Sequence, residues 1–396
     1  VEVLTRSARG PRLFGLRWPV QLADESFVNY DFPQVVILRR TGEVHPEQLA
    51  ERVARPLSGT SRMGLADLEE LLASVPIIPP VPSAARQVVD LTLWTAIFAL
   101  TAISMWILLM PLLARWPDAG LGLAVATGWV LPAWVLWFGN ELGLWRVGAA
   151  AASWILLALV SLAAISASRR WPEVVETIRR RRSGMLRVAL IALAVGLFFV
   201  LVRAYNPAIY WGEKPMDFAF LNAFLRSGHW PTGEPWMAGM PLHYYYFGQV
   251  LAAFPILLSG CTGGVGYNLM AATVPALGAA VLAAIGMVLA SRRSWLSSLV
   301  LPALVLLTGN LAWPWLLHHA GQGKWFDLWW ATSRVIPGFA IDEYPLWTAL
   351  FADLHGHFIA LPLLIATLAW GWICVAGNNS RWPAAAAFCG LFAAAL

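Results

Sequence analysis

Apolar runs long enough to cross a bilayer recur along this chain, and they restrict its fold more than any other feature. They fall at about 91–113, 118–138, 148–167, 187–204, 243–260, 267–290, 296–317, 346–375 and from 383 onward. A helix needs ~20 apolar residues to span the hydrocarbon layer. Inside that layer every backbone N–H and C=O must be bonded within the protein, which leaves helices or closed barrels. Runs of this length read as helices. A mean hydropathy of +0.64 and a charged fraction of 12% agree, since soluble domains carry roughly twice that charge. The expected fold is an all-α polytopic membrane protein.

The net charge of +5 has a telling distribution. Seven arginines crowd into RRWPEVVETIRRRRSGMLR (Arg169, Arg170, Arg179 to Arg182 and Arg187), between two apolar runs. A basic segment beside membrane helices reads as a cytoplasmic loop, so nucleic acid is not an expected partner and the lipid bilayer is. Cys261, Cys374 and Cys389 show no metal or redox spacing.

Residues 1–85 differ in kind and read as a small α+β extramembrane segment. Val35 to Leu38 is β-rich, Thr41-Gly42 is a turn signal, residues 45–76 read as short helices, and IIPPVPS is a stiff linker. Membrane helices and the basic loop occupy 86–186, and a membrane domain fills 187–396. The chain opens on Val1 without a signal peptide and stops inside an apolar run, so it reads as part of something longer. If the arginine segment is cytoplasmic, the helix at 187–204 runs outward and the polar stretch after it is extracytoplasmic. Simple alternation then puts the polar stretch near 345 on the opposite face and Ser291 to Ser294 (SRRS) outside, unless one intervening segment is re-entrant or the tryptophan-rich 323–340 region holds an extra membrane-embedded helix.

That first stretch, MDFAFLNAFLRSGHWPTGEPWMAGMPLHYYYFG, runs from Met216 to Gly248. Pro215 suits a helix start, and Phe218, Leu221 and Leu225 form an apolar stripe, so Met216 to Ser227 reads as a short interfacial helix. Asp217 falls in its first turn, where the helix dipole favours a carboxylate. Two readings stand side by side: a helix cap without chemistry, and a general base toward a hydroxyl. The aromatics that follow, Trp236 and Tyr244, Tyr245 and Tyr246, suit both an interfacial belt and a surface for sugar rings.

A second constellation is AIDEYPLWTALFADLHGHFIALPLL. Asp353, His355 and His357 sit inside an apolar run, where ionisable groups are costly and face an interior or a cavity. On a helix Asp353 and His357 share a face at i, i+4. In an extended turn all three converge. Asp342 and Glu343 add oxygen donors suited to Mg²⁺ or Mn²⁺. A hydrogen-bonded packing pair between helices is the alternative. No phosphate-binding glycine loop, dinucleotide fingerprint or zinc-protease motif is present.

PMDFAFLNAFLRSGHWP, EPWMAGMPLHYYYFG, the Gly309 to Leu311 GNL and DEYPLWTALFADLHGH together resemble the YYY-motif membrane family over roughly 187–396. That layout in turn is similar to the GT-C superfamily of polyprenyl-phosphate-sugar-dependent glycosyltransferases. There an acidic residue follows an early outward-running helix, on a membrane-parallel loop helix. Asp217 sits at the matching position, and LADESFVNYDFPQVVILR (22–39) resembles the ending of such a unit.

The resemblance implies a GT-C-like helical bundle in the cell membrane, with its active site extracytoplasmic. It implies transfer of a sugar from a polyprenyl-phosphate donor to a glycan or protein acceptor. Asp217 would be the base. Asp353, His355 and His357 would assist, with a divalent cation held by Asp342, Glu343, Asp353 and His357. Arg226, Trp236, His243, Tyr244, Tyr245 and Tyr246 would line the substrate groove. Two other classes stand beside it: a lipid-linked-glycan flippase coupled to protons through the Asp/His set, and a scaffold without chemistry.

Overall fold

The computed structural model describes residues 2–7, 12–13, 16–17, 34–39, 83–210, 212–236, 240–290, 294–309, 312, 329–334, 336, 343–376 and 382–395. It divides into two compact units, Val1–Arg86 and Gln87–Leu396. The first contains β1 (Glu2–Ser7), β2 (Arg12–Leu13), β3 (Leu16–Arg17) and β4 (Gln34–Arg39). β1 pairs antiparallel with β4, Val3 opposite Leu38 and Thr5 opposite Val36, and β2 pairs with β3. The expected extended run Val35 to Leu38 lies within β4. The expected turn at 41–42, the short helices and nearly all of the proline-rich linker lie outside the described residues.

From Ala84 the described chain is helical, and six of its helices are long and apolar enough to cross a membrane. They are α1 (Ala84–Leu113), α2 (Leu121–Glu141), α3 (Ala149–Arg169), α4 (Trp171–Tyr205), α7 (Gly263–Leu289) and α10 (Gly356–Ala376). The shorter ones are α5 (Lys214–Arg226), α6 (Phe247–Ser259), α8 (Trp295–Pro302, continued by a π-turn at Ala303–Leu307), α9 (Pro345–Phe351) and α11 (Trp382–Ala395). The protein is thus an all-α polytopic membrane protein with a small β element at its N-terminus.

The arginine-rich segment is not a loop: it forms the first half of α4. Pro172 opens the helix without losing a bond, and Glu176 pairs with Arg179 at 2.8 Å and with Arg180 one turn on. Charges spaced this way support a helix. At 35 residues α4 is about 52 Å long, well beyond the ~30 Å hydrocarbon core, so much of its basic first half can lie outside that layer.

α7 is the most buried of the six. Small residues allow this: a Cβ on Gly122 of α2 would lie 2.6 Å from the Ala280 carbonyl, and one on Gly286 would lie 2.5 Å from that of Ser297. Close backbone approach replaces hydrophobic collapse as the packing device where lipid is the solvent. Polar bonds between helices add to it, as from the Trp94 indole to Thr273 Oγ1 at 2.9 Å.

The run at 243–260, expected as a full span, yields only the 13-residue α6. At about 20 Å it is too short to cross. It begins beside Leu354, whose carbonyl accepts Gln249 Nε2 at 3.4 Å. Midway, the Leu251 carbonyl accepts the indole of Trp129, deep in α2, at 2.9 Å. The chain then turns at Gly260 (φ 64), and Tyr267, early in α7, again reaches Ala352 and Leu354. α6 therefore dips into the bundle and leaves by the same end. α7 goes through, α8 starts against its far end at Gly286, and the chain returns to Gly309, which abuts the Tyr344 ring. The two polar stretches lie at the same end of the bundle, where Tyr244 and Tyr245 meet His355.

A cluster of carboxyls, imidazole and phenols at one end of the bundle

The expected span 346–375 is broken. α9 ends at Ala352, whose left-handed φ of 57 stops the helix, and residues 353–355 are non-helical before α10 begins at Gly356. Asp353 and His357 therefore do not share a helical face, and the expected i, i+4 pairing is not formed. Tyr267 holds the link in place. Its hydroxyl accepts the Leu354 amide at 2.9 Å and donates to the Ala352 carbonyl at 3.4 Å.

α5 lies across this end. Its buried face is Lys214, Asp217, Phe220, Leu221 and Phe224, so Asp217, 1% exposed, points into the protein. At its far end the Gly228 carbonyl accepts the Val147 amide at 2.8 Å, and Asn140 Oδ1 accepts that of Trp230 at 2.8 Å. At its near end Asp353 Oδ2 accepts the Glu213 amide at 3.2 Å. Gly212 there has a φ of 61, and a Cβ on it would meet the Phe351 ring at 2.9 Å.

His355 is the hub. Its Nδ1 lies 2.7 Å from Glu213 Oε2 and 3.6 Å from Asp217 Oδ2. Nδ1, Asp217 Oδ2 and Asp353 Oδ1 are buried and make no regular hydrogen bond among the described residues, although Nδ1 faces the Glu213 carboxylate and Asp217 lies against both His355 and Asp353. On the other side Nε2 meets the Tyr245 hydroxyl at 2.6 Å and that of Tyr244 at 3.2 Å. The two phenol rings stack at 3.9 Å, and Tyr244 donates to Tyr245 at 2.6 Å. Lys214 Nζ sits 4.2 Å over the Phe351 ring.

Burial, and then the adjacent Asp217 carboxyl, push Asp353 up to about 8, so it holds its proton at neutral pH. Burial by itself would lower His355. Asp217, Tyr245 and Glu213 outweigh it and raise the imidazolium to about 9. The cluster thus places a protonated carboxyl, a second carboxyl, an imidazolium and two phenols together. Such a set can take up, give and hydrogen-bond protons on a hydroxyl-bearing molecule.

Of the residues expected at the site, Asp217, Asp353, His355, Tyr244 and Tyr245 come together. His357 stands beside them, half exposed, with Nε2 3.2 Å from Glu343 Oε2. Tyr246 stacks on Phe224 at 5.2 Å and serves packing. Trp236 is 64% exposed, His243 is exposed, and Arg226 lies about 14 Å along α5 from Asp217. Asp342 lies outside the described residues. Among the described residues no group of three or more His, Cys, Asp or Glu is arranged to hold a metal ion. Glu343 is also committed to Arg334 at 3.8 Å and to Thr348 at 3.4 Å.

Glu213, Lys214, Gln249 and Tyr267 went unnoticed in the sequence. Glu213 stands one turn before Asp217, at the positive end of α5. Gln249 is a lone amide two residues into an apolar run, a placement that is costly without a partner.

A protein-family model described as uncharacterized membrane protein (DUF2298) matches residues 131–396, which include every residue of this cluster. No curated protein and no solved structure matches the chain.

Proposed function

Because the chain belongs to the DUF2298 family of uncharacterized membrane proteins, whose description carries no activity, we propose its function from the cluster itself: a membrane glycosyltransferase that uses a polyprenyl-phosphate-linked sugar. The observation that carries this reading is the convergence of Asp217 with Asp353 and His355 beside Tyr244 and Tyr245. An acid on a short helix after a membrane-crossing one is also the pattern by which the chain resembles the GT-C proteins.

In this mechanism Asp217 takes the proton of the acceptor hydroxyl as its oxygen bonds to the anomeric carbon. The bond from that carbon to the phosphate oxygen breaks, its electron pair leaves with the lipid phosphate, and the configuration inverts. His355 and Lys214 are the nearest cations to offset the charge that develops there. Among the described residues, Glu343, Asp353 and His357 form no group arranged to hold a cation, and Asp353 holds a proton near neutral pH.

The test is a labelled polyprenyl-phosphate sugar given to the protein in proteoliposomes. Transfer should release free polyprenyl phosphate, and Asp217→Asn should lower the rate at least ~10³-fold, an effect typical of removing a general base, with unchanged thermal melting. Full activity in that variant overturns the reading. The protonated Asp353 favours a second reading, a proton-coupled flippase of lipid-linked glycan. That protein moves the donor across the bilayer without consuming it.

A further inference from the structure

Resting on the transferase reading, we propose that the acceptor is a carbohydrate, its ring laid against Tyr245 and its neighbouring hydroxyls bound by Asp217 and Asp353. Two carboxyl oxygens at this spot, Asp217 Oδ2 and Asp353 Oδ1, are buried and lack a hydrogen-bond partner among the described residues, while His355 Nδ1 beside them faces Glu213 Oε2 at 2.7 Å. Asp217 is 1% exposed and Asp353 6%, so what satisfies these atoms comes to them. A seryl or threonyl hydroxyl brings one O–H group, which it can donate to one of the two. Adjacent hydroxyls on a sugar ring bring two or three O–H groups, each able to donate and accept.

The apolar side of such a ring also has a place to go. Tyr245 is stacked on Tyr244 by one face and is otherwise 62% exposed. Its hydroxyl is fixed on His355, so the ring is held still before any ligand arrives. Gly356 allows this position, since a Cβ there would lie 2.7 Å from Tyr245 Cε2. A rigid, exposed aromatic with a polar tip, next to unpaired carboxyl oxygens, suits a pyranose, which has a C–H face and a hydroxyl edge. The ring is assigned to the acceptor because its hydroxyl is the one that meets Asp217.

The experiment uses the full chain in detergent and reads saturation-transfer NMR on a panel of methyl hexopyranosides, with an acetylated seryl-threonyl peptide as the counter-probe. The glycosides should show transfer to their ring C–H protons, and the peptide none. Tyr245→Ala should cut the signal at least fivefold. Tyr245→Phe, which keeps the ring, should retain most of it, and Asp353→Asn should weaken binding about tenfold, as expected for a lost hydrogen bond to a buried group. Peptide binding without glycoside binding overturns the proposal, as does an unchanged signal in Tyr245→Ala. With labelled donor added, a bound glycoside should become extended. A glycoside that only competes with the donor assigns the ring to the donor sugar and also overturns the proposal. Binding is read without donor, so transfer to a seryl peptide would sink this inference and leave the transferase standing.

Discussion

Leu354 donates its amide to the hydroxyl of Tyr267 at 2.9 Å, and this bond ties a membrane-crossing helix to the short link that carries Asp353 and His355. Tyr267 is fully buried and sits on α7, the most enclosed helix of the bundle. Asp353 and His355 are therefore anchored to the most buried of the six membrane-length helices, although they sit outside any helix themselves.

Tyr267→Phe removes that acceptor and leaves the Leu354 amide without it. Orphaning a buried donor costs about 1–3 kcal/mol. A drop of several degrees in melting temperature in detergent should be seen. A melting temperature equal to wild type would mean that the link is held by other means.

Stability should fall on the alkaline side. Asp353 rises from 3.8 to about 8 and His355 from 6.5 to about 9. Both groups bind their proton more tightly when folded, so their contribution is complete at low pH and is lost as pH rises through the folded values. Melting temperature should decline between pH 6.5 and 9, and the decline should be shallower in Asp353→Asn. A rise over that interval would contradict the arrangement.

Gly184, where the basic half of α4 passes the α1–α2 connection, has no room for a side chain. A Cβ there would lie 2.1 Å from the Pro117 carbonyl. Gly184→Ala should cost about 1–3 kcal/mol as an overpacking change, read as reduced thermal stability. Gly390→Ala in α11 is the contrast, since a Cβ there meets nothing within 4 Å and the backbone is helical.

Accessibility decides whether the site has one face. In a chain with Cys261, Cys374 and Cys389 replaced by Ala, single cysteines at His229, His357 and Arg182 can be probed with an impermeant maleimide. Positions 229 and 357 should react from the same side and 182 from the other. Opposite labelling of 229 and 357 would dismantle the shared site.

Much of this architecture is legible in the sequence, because bilayer thickness dictates helix length and composition reports it directly. The four runs between 91 and 204 and the one at 267–290 each correspond to a long helix. Composition does not report where an apolar run stops being one helix. Residues 243–246 stay outside α6 and shorten it at its start, and the left-handed Ala352 divides α9 from α10, yet alanine carries no break signal. For that reason Asp353 and His357 looked like a pair, while His355 is the residue that turns inward. Asp217 and Tyr244 stood out because polar and aromatic groups are conspicuous beside apolar runs. Glu213 did not, since an exposed acid before a helix is ordinary until its partner, far along the chain, is known.

Tyr244 and His355 are separated by 111 positions, and α7 and α8 lie between them. During synthesis Asp217 and the tyrosines enter the membrane region well before Asp353 and His355 exist. The cluster closes only once the intervening hairpin has inserted. Its completion is therefore a late event in biogenesis, and it couples the appearance of the chemical site to correct threading of the helices before it.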